Sequence, residues 1–94
     1  MARAYWKKQL IAESDDIVEL EGNLYFPESS LKSSFFSASS KTSHCPWKGT
    51  ASYLDVTVDG ETNAAAAWFY PKPKKAAAEI RDRVAFWRGI ETEK

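Results

Sequence analysis

The 94-residue sequence contains a single cysteine, Cys45, and a single histidine, His44. One cysteine cannot form an intramolecular disulfide, and this pair cannot supply the four nitrogen and sulfur ligands of a structural zinc site. We therefore expect no disulfide, no bound metal and no cofactor. A free cysteine in a disulfide-free chain is typical of a reducing compartment, so the predicted location is the cytoplasm.

The sequence also lacks an excess of charge of either sign and any long hydrophobic run. Thirteen basic residues balance thirteen acidic ones, so no net field attracts the chain to nucleic acid or to an anionic membrane. No segment approaches the roughly 20 apolar residues that span a bilayer, and the N-terminal residues lack the apolar core of a signal peptide. We expect no association with membranes, and we regard nucleic acid as a poor candidate partner.

Three common motifs of catalysis and nucleotide binding are missing as well. The sequence contains no G-x-x-x-x-G-K-[ST], no G-x-G-x-x-G and no H-E-x-x-H. Phosphate binding by a P-loop, dinucleotide binding and zinc-dependent hydrolysis therefore lack their usual residues.

What the sequence does contain is β-strand alternation broken by turn residues. Apolar and polar residues alternate over 52–58 before Asp59-Gly60, and over 17–21 before Gly22-Asn23. Both dipeptides suit the tight turn of a β-hairpin. The length allows one domain over residues 1–94. We predict a mainly β fold, a compact antiparallel sheet or barrel with one or two short helices.

Other segments allow more than one interpretation. The four alanines of 64–67 favour a helix by propensity, although they lie where the second hairpin strand is expected. Residues 33–43 form either an edge strand or an ordered loop, and 84–87 either extend a helix or form a closing strand. The remaining predictions are a first strand over Tyr5–Ile11, a helical turn within Glu28–Lys32, a short amphipathic helix over Lys74–Arg83, and a frayed tail over Glu91–Lys94.

The best candidate for a functional surface is the polar segment from Thr42 to Gly49. It contains a proline, so we predict a loop that the sheet displays. Pro46 and Gly49 constrain the backbone, which would hold Cys45 and Lys48 in a fixed relation. A thiol and an ammonium group would then lie side by side.

Each of these side chains also has an ordinary structural interpretation. Cys45 is a nucleophile if Lys48 or His44 lowers the pKa of its thiol, but free cysteine is commonly a small buried apolar residue. Lys48 could bind a carboxylate or phosphate, act as a base when desolvated, or be a surface lysine. Because neighbours on an extended chain point to opposite sides, we do not expect His44 and Cys45 to form a catalytic pair.

The motif C-P-W-K-G at Cys45–Gly49, with W-F-Y-P at Trp68–Pro71, resembles the bacterial family called domain of unknown function 427, which is also labelled nucleotidyltransferase-like. The resemblance extends to Ala12–Ser14, Glu19 and Tyr25–Pro27. It implies a compact, mainly antiparallel β domain similar to the β-tent folds, in which these polar and aromatic groups meet in one cavity. Glu19 is the carboxylate that the resemblance singles out, although strand alternation alone would also place it in solvent.

We therefore expect a domain that binds an unknown small molecule and that could be an enzyme. The candidate catalytic residues are Lys48, Cys45 and Glu19. The candidate ligand-binding residues are Tyr25, Thr42, Lys48, Tyr53, Trp68 and Tyr70.

Two alternatives stay open. The first is a structural or protein-interaction module, a homodimer without catalytic activity, in which exposed aromatic residues pair across a two-fold axis. The second is a nucleotidyltransferase-like or single-stranded nucleic-acid-binding domain. It rests on Lys72, Lys74 and Lys75, which lie close to aromatic residues in the sequence.

Overall fold

The computed structural model describes all residues 1–94 and contains nine β-strands and three short 3₁₀ helices. The strands are β1 (Ala2–Trp6), β2 (Gln9–Ser14), β3 (Val18–Leu20), β4 (Asn23–Pro27), β5 (Phe36–Cys45), β6 (Gly49–Val58), β7 (Glu61–Phe69), β8 (Arg83–Phe86) and β9 (Glu91–Glu93). The 3₁₀ helices are Glu28–Ser30, Ser33–Phe35 and Lys75–Ile80. The mainly β prediction is confirmed.

The strands form two antiparallel sheets that remain open. One sheet has three strands in the order β2-β1-β9, and the other has six in the order β3-β4-β8-β7-β6-β5. Neither sheet returns to its first strand, so the architecture is a pair of sheets and not a closed barrel. None of the helices has the length and hydrophobicity needed to cross a bilayer.

Two-residue turns connect three of the four hairpins, β1–β2, β3–β4 and β6–β7, and each places two consecutive residues at positive φ, as a type I′ turn requires. The predicted turn at Asp59-Gly60 has φ values of 52° and 78°. At the other predicted hairpin the turn is Glu21-Gly22, with φ values of 53° and 78°, one residue earlier than expected. Asn23 is therefore already the first residue of β4.

The N-terminal segment forms a hairpin where the sequence predicts a single strand over Tyr5–Ile11. Lys7 and Lys8, with φ values of 52° and 65°, reverse the chain between β1 and β2. Lysine has no special preference for this conformation, in contrast to glycine, asparagine and aspartate, so the sequence carries no turn signal at this position.

The alanine run lies in β7 as a bulge and not in a helix. Leu54 pairs with Ala67 and Val56 with Asn63, so a step of two residues on β6 faces a step of four on β7. The amide of Ala65 donates to Asp55 Oδ1 at 2.7 Å, and its carbonyl accepts from the indole of the tryptophan that follows β8, at 2.6 Å. Tertiary hydrogen bonds thus override the helix propensity of alanine.

Several uncertain segments become strands or short helices. Residues 33–43 divide into a 3₁₀ helix and the start of the edge strand β5, while 83–86 form β8. The predicted amphipathic helix is only the six-residue 3₁₀ segment Lys75–Ile80, too short to nucleate an α-helix and interrupted at Ala77. The predicted frayed tail is wrong, because Glu91–Glu93 pairs with the open edge of β1.

Side-chain alternation divides the core into two clusters, one on each face of the six-stranded sheet. We call the face that packs on β1 and β2 the inner face, and the opposite one the outer face. The inner cluster contains Ala2, Ala4, Ile11, Ala12, Phe26, Val56, Val58, Ala66, Ala67, Val84 and Phe86. The outer cluster contains Tyr25, Ala51, Tyr70, Ala77, Ile80 and Ala85, with Val18, Leu20, Cys45, Tyr53 and Trp68 partly buried against it.

Candidate functional site

The segment predicted as a displayed loop is the closed end of the β5–β6 hairpin. Backbone pairing continues from Thr42 opposite Ser52 to Cys45 opposite Gly49, so Thr42–Cys45 is strand and not loop. Only the three residues 46–48 lie outside the strands. The proline cannot donate a ladder hydrogen bond, which ends β5 at Cys45.

Residues 71–74 lie against this turn and form hydrogen bonds with it. The amide of Lys74 donates to the carbonyl of Lys48 at 2.9 Å, and Lys74 Nζ donates to the carbonyl of Pro46 at 2.6 Å. Gly49 has a φ of 113°, and a Cβ there would lie 3.2 Å from the carbonyl oxygen of Lys72. The residues that follow the W-F-Y-P motif therefore contact the C-P-W-K-G turn, and glycine is needed where the two segments approach.

The side chain of Lys48 is enclosed although it ends in a charge. The residue is 9% exposed. Its Nζ lies 5.4 Å from the ring centre of Trp47 and 5.5 Å from that of Tyr70, and it forms an ion pair and hydrogen bond with Glu21 Oε1. Ring faces attract a cation, so these contacts offset part of the cost of burial.

The pKa of Lys48 is raised above its ordinary value as the net result of opposing effects. Burial is the largest single effect and lowers the pKa, but the hydrogen bond to Glu21 and the negative charges available from Tyr70, Tyr25 and Glu21 raise it further than burial lowers it. Lys48 is therefore an ammonium ion at neutral pH.

Aromatic rings pack edge to face beside Lys48 on the outer face. Tyr25 and Trp68 lie 6.4 Å apart at 88°, and Trp68 and Trp87 lie 5.9 Å apart at 82°. Trp68 Nε1 donates to the hydroxyl of Tyr25 at 3.2 Å. Trp87 also lies 6.2 Å from Tyr53, and its Nε1 donates to Ala65 at 2.6 Å. Such pairs fix the orientation of the rings.

Together these side chains form a pocket of about 170 Å³. Its lining residues are Lys48, Tyr53, Trp68, Tyr70 and Trp87. Two further cations lie over its rings, since Lys41 Nζ is 5.4 Å from the ring centre of Tyr53 and the Arg88 guanidinium is 4.6 Å from that of Trp87. We call this set of lining residues the lysine pocket.

Two tyrosines beside Lys48 have raised pKa values. Burial raises the pKa of the Tyr25 hydroxyl, and the hydrogen bond from Trp68 and the charge of Lys48 only partly oppose it. Burial also raises the pKa of Tyr70 against the opposing charge of Lys48. Both phenols are therefore neutral at physiological pH and keep a proton to donate.

The structure brings five of the predicted ligand-binding and catalytic residues together. They are Tyr25, Lys48, Tyr53, Trp68 and Tyr70. Cys45 is partly buried against the same cluster and does not border the pocket.

Glu19 and Thr42 do not join this group. The carboxylate of Glu19 is exposed and pairs with Lys94, beside a separate cavity at the N-terminus, because Val18 and Leu20 occupy the face that packs on the outer cluster. Thr42 lies on the opposite side of β5 from the aromatic residues. Its neighbour Ser43 is on their side, where it forms a hydrogen bond with the hydroxyl of Tyr53 at 2.9 Å, and adjacent residues of a strand point to opposite faces.

The sequence did not reveal two important residues of the site, Glu21 and Trp87. Strict alternation groups Glu21 with Glu19, but Glu21 lies in a type I′ turn where positive φ breaks the period of two. Trp87 could have been found from strand alternation. Val84 and Phe86 face inward and Ala85 faces outward, so alternation places Trp87, two residues after Ala85, on the outer face as well.

Other cavities carry polar side chains but no comparable convergence. His44 points away from Cys45 and borders a cavity of about 370 Å³ with Lys72 and Lys74, where Lys74 is already engaged by Pro46. The largest cavity, about 660 Å³, is an open polar groove. Its Arg83 is bonded to Asp16.

The fold and the site together define an antiparallel β domain in which a hairpin end holds a lysine among aromatic rings. Residues 1–93 match the sequence profile of the family described as domain of unknown function (DUF427), and the chain belongs to that family. The resemblance inferred from the two motifs is thereby confirmed. A comparison with curated proteins gives no match.

Proposed function

We propose that the lysine pocket binds a small molecule. The observation that carries this proposal is that Lys48, only 9% exposed, borders a pocket whose other lining residues, Tyr53, Trp68, Tyr70 and Trp87, are all aromatic. A concave site with apolar walls and one fixed polar group is the usual form of a ligand pocket.

The placement of the charge supports a functional role over a structural one. Burying an ammonium ion is unfavourable unless it is well paired, and the only carboxylate that pairs with it, Glu21, has a side chain that is 49% exposed. An apolar side chain would fill the same space without this cost. A lysine at this position therefore contributes more to recognition of a ligand than to stability of the fold.

If the pocket is catalytic, Lys48 acts as a fixed positive charge. Its pKa is raised, so it is protonated at neutral pH and serves neither as an amine nucleophile nor as a general base. An ammonium in this position would stabilise negative charge that develops on a substrate. Cys45 is the second candidate, and the rate of its alkylation as a function of pH tests its reactivity.

A thermal-shift screen of metabolites tests binding. Lys48→Met removes the charge and keeps the length of the side chain, and Lys75→Met is the matched control at an exposed position. A ligand of the pocket raises the Tm of the wild type and of the control but not that of Lys48→Met. A library that raises none of the three, or a hit that stabilises Lys48→Met equally, contradicts the proposal.

A second candidate function is self-association through the rim of the pocket. Trp47 and Trp87 are 39% and 40% exposed, the two largest exposed rings of the chain, and exposed aromatic residues are enriched at protein interfaces. Sedimentation of the wild type and of Trp87→Ala tests this function. A dimer that the substitution dissociates supports it, and a monomeric wild type rejects it.

A further inference from the structure

We propose that the ligand of the lysine pocket is a planar ring that carries one anionic group, and that this anion displaces Glu21 from Lys48. The inference rests on the proposed function and names the class of ligand. It follows from the unequal exposure of the two members of the ion pair, from the charges around the rings and from the size of the pocket.

The two partners of the ion pair differ in how easily they return to water. The side chain of Glu21 is 49% exposed, against 11% for that of Lys48. Glu21 can therefore turn into solvent and be hydrated, whereas Lys48 remains enclosed by Trp47 and Tyr70. An ammonium ion left in this position requires a new anion, because an unpaired buried charge is strongly unfavourable.

The ion pair with Lys48 is the one interaction that holds the carboxylate of Glu21. Its side chain makes a single hydrogen bond, to Lys48 Nζ. Its backbone is fixed independently by the type I′ turn with Gly22, at φ values of 53° and 78°. Rotation of one side chain therefore opens the site, without any change in the β3–β4 hairpin.

The charges over the aromatic walls favour an anion and disfavour a cation. Lys41 and Arg88 lie over Tyr53 and Trp87, so with Lys48 three cations surround the pocket against the single carboxylate of Glu21. Asp55, two residues beyond Tyr53, does not line the pocket, and its Oδ1 accepts from the amide of Ala65 at 2.7 Å. A cationic ligand would thus compete for ring faces that already hold cations.

The size and walls of the pocket suit one flat ring. Its volume is about 170 Å³, and engineered apolar cavities of about 150 Å³ accept benzene. Tyr53 and Trp87, whose planes are inclined by 40°, offer one tilted wall, and Trp68 stands at 82° to Trp87 as a second. A ring between these walls would place a substituent toward Lys48, which borders the same space.

Titration of three singly substituted benzene probes tests the ligand class. The probes are benzoate, benzamide and benzylamine, followed through the indole N–H signals of Trp68 and Trp87 in NMR spectra. We expect benzoate to bind, benzamide to bind more weakly and benzylamine not to bind. Glu21→Gln removes the competing carboxylate and should tighten benzoate binding by about fivefold, the value of a partly exposed ion pair.

The matched control is Glu61→Gln, which makes the same chemical change in the remote ion pair with Lys7 and should leave benzoate affinity unchanged. A gain in affinity cannot arise from misfolding, so the Glu21→Gln measurement remains decisive even if Lys48 variants fold poorly.

Each result has a distinct meaning. Equal binding of benzoate and benzamide overturns the anionic ligand class, no effect of Glu21→Gln overturns the displacement of Glu21, and either result leaves the pocket as a binding site. If no probe shifts either indole signal in the wild type or in Glu21→Gln, the planar anionic ligand class is rejected and the displacement of Glu21 with it. A metabolite screen without hits then rejects the pocket itself.

Discussion

The two faces of the six-stranded sheet use the same strands for different purposes. All eleven buried residues of the inner cluster are apolar, and four of them, Ala2, Ala4, Ile11 and Ala12, come from β1 and β2. The outer cluster includes Tyr25 and Tyr70, packs against Trp68 and borders the one buried charged residue, Lys48. One face is closed by a second sheet, and the other ends in a pocket.

The comparison shows how a small β domain can separate stability from recognition. Neighbours on one strand belong to opposite clusters: Tyr25 faces outward and Phe26 inward. Because the side-chain period of a strand is two, a single substitution disturbs one face and leaves the other nearly intact. The inner face should therefore determine the free energy of unfolding, and the outer face should determine binding.

The largest expected effect is on the inner face. Phe26 is fully buried and packs edge to face on Phe86 at 5.5 Å. Phe26→Ala should lower the free energy of unfolding by about 3 to 5 kcal/mol, through lost burial and a residual cavity. Trp87→Ala on the outer face should cost less, about 1 to 2 kcal/mol, because the ring is 40% exposed. Urea unfolding measures both; equal losses would mean that the outer face is as important to stability as the inner one.

A smaller effect is expected at Gly49, where the C-P-W-K-G turn approaches the residues that follow the W-F-Y-P motif. Gly49→Ala should cost about 2 to 3 kcal/mol, because alanine is strained at a φ of 113° and its Cβ would press on the carbonyl of Lys72 at 3.2 Å. Gly89→Ala is the matched control, since Gly89 has a φ of 85° and open space around it, so strain alone should cost about 1 kcal/mol. Equal losses in urea unfolding would show that the close approach carries no energetic weight.

Much of the sheet could be predicted from the sequence because alternation and turn chemistry are local. Asp59-Gly60 carries both signals, and its hairpin forms at the expected residues. The turn at Lys7-Lys8 has no such signal, and β9 forms only because β1 offers a free edge at a distance of some ninety residues along the chain. Local patterns cannot show which edge a distant strand will find.

The site shows the same limit at the level of single side chains. Sequence reasoning named Tyr53 and Trp68, which the structure places directly opposite each other on β6 and β7. The family resemblance singled out Glu19 as the carboxylate and not Glu21, which lies in a turn where positive φ breaks the strand period of two. The alanine bulge was equally hidden, since its stability depends on Asp55 and Trp87 and not on alanine itself.

Alkaline pH should lower the free energy of unfolding through titratable groups of the outer face. The pKa values of Tyr25, Tyr70 and Lys48 are all raised from ordinary values of 10.0, 10.0 and 10.5. Above about pH 10 the unfolded chain therefore releases protons that the folded chain retains, so the free energy of unfolding falls as the pH rises. Urea unfolding between about pH 8 and 11 checks this decline. Tyr70→Phe should make it shallower, and a flat profile in the wild type contradicts the raised pKa values.

The smallest effect on stability, and the sharpest test of the comparison, is expected for Lys48→Met. Methionine places an unbranched apolar side chain beside Trp47 and Tyr70, whose rings the Lys48 ammonium contacts, and Glu21, with a side chain that is 49% exposed, can be hydrated once its partner is gone. The free energy of unfolding should therefore change by no more than about 1 kcal/mol, while benzoate binding is lost. A loss of more than about 3 kcal/mol, as for a broken buried pair, would instead make Lys48 a structural residue and place the outer face in the same class as the inner one.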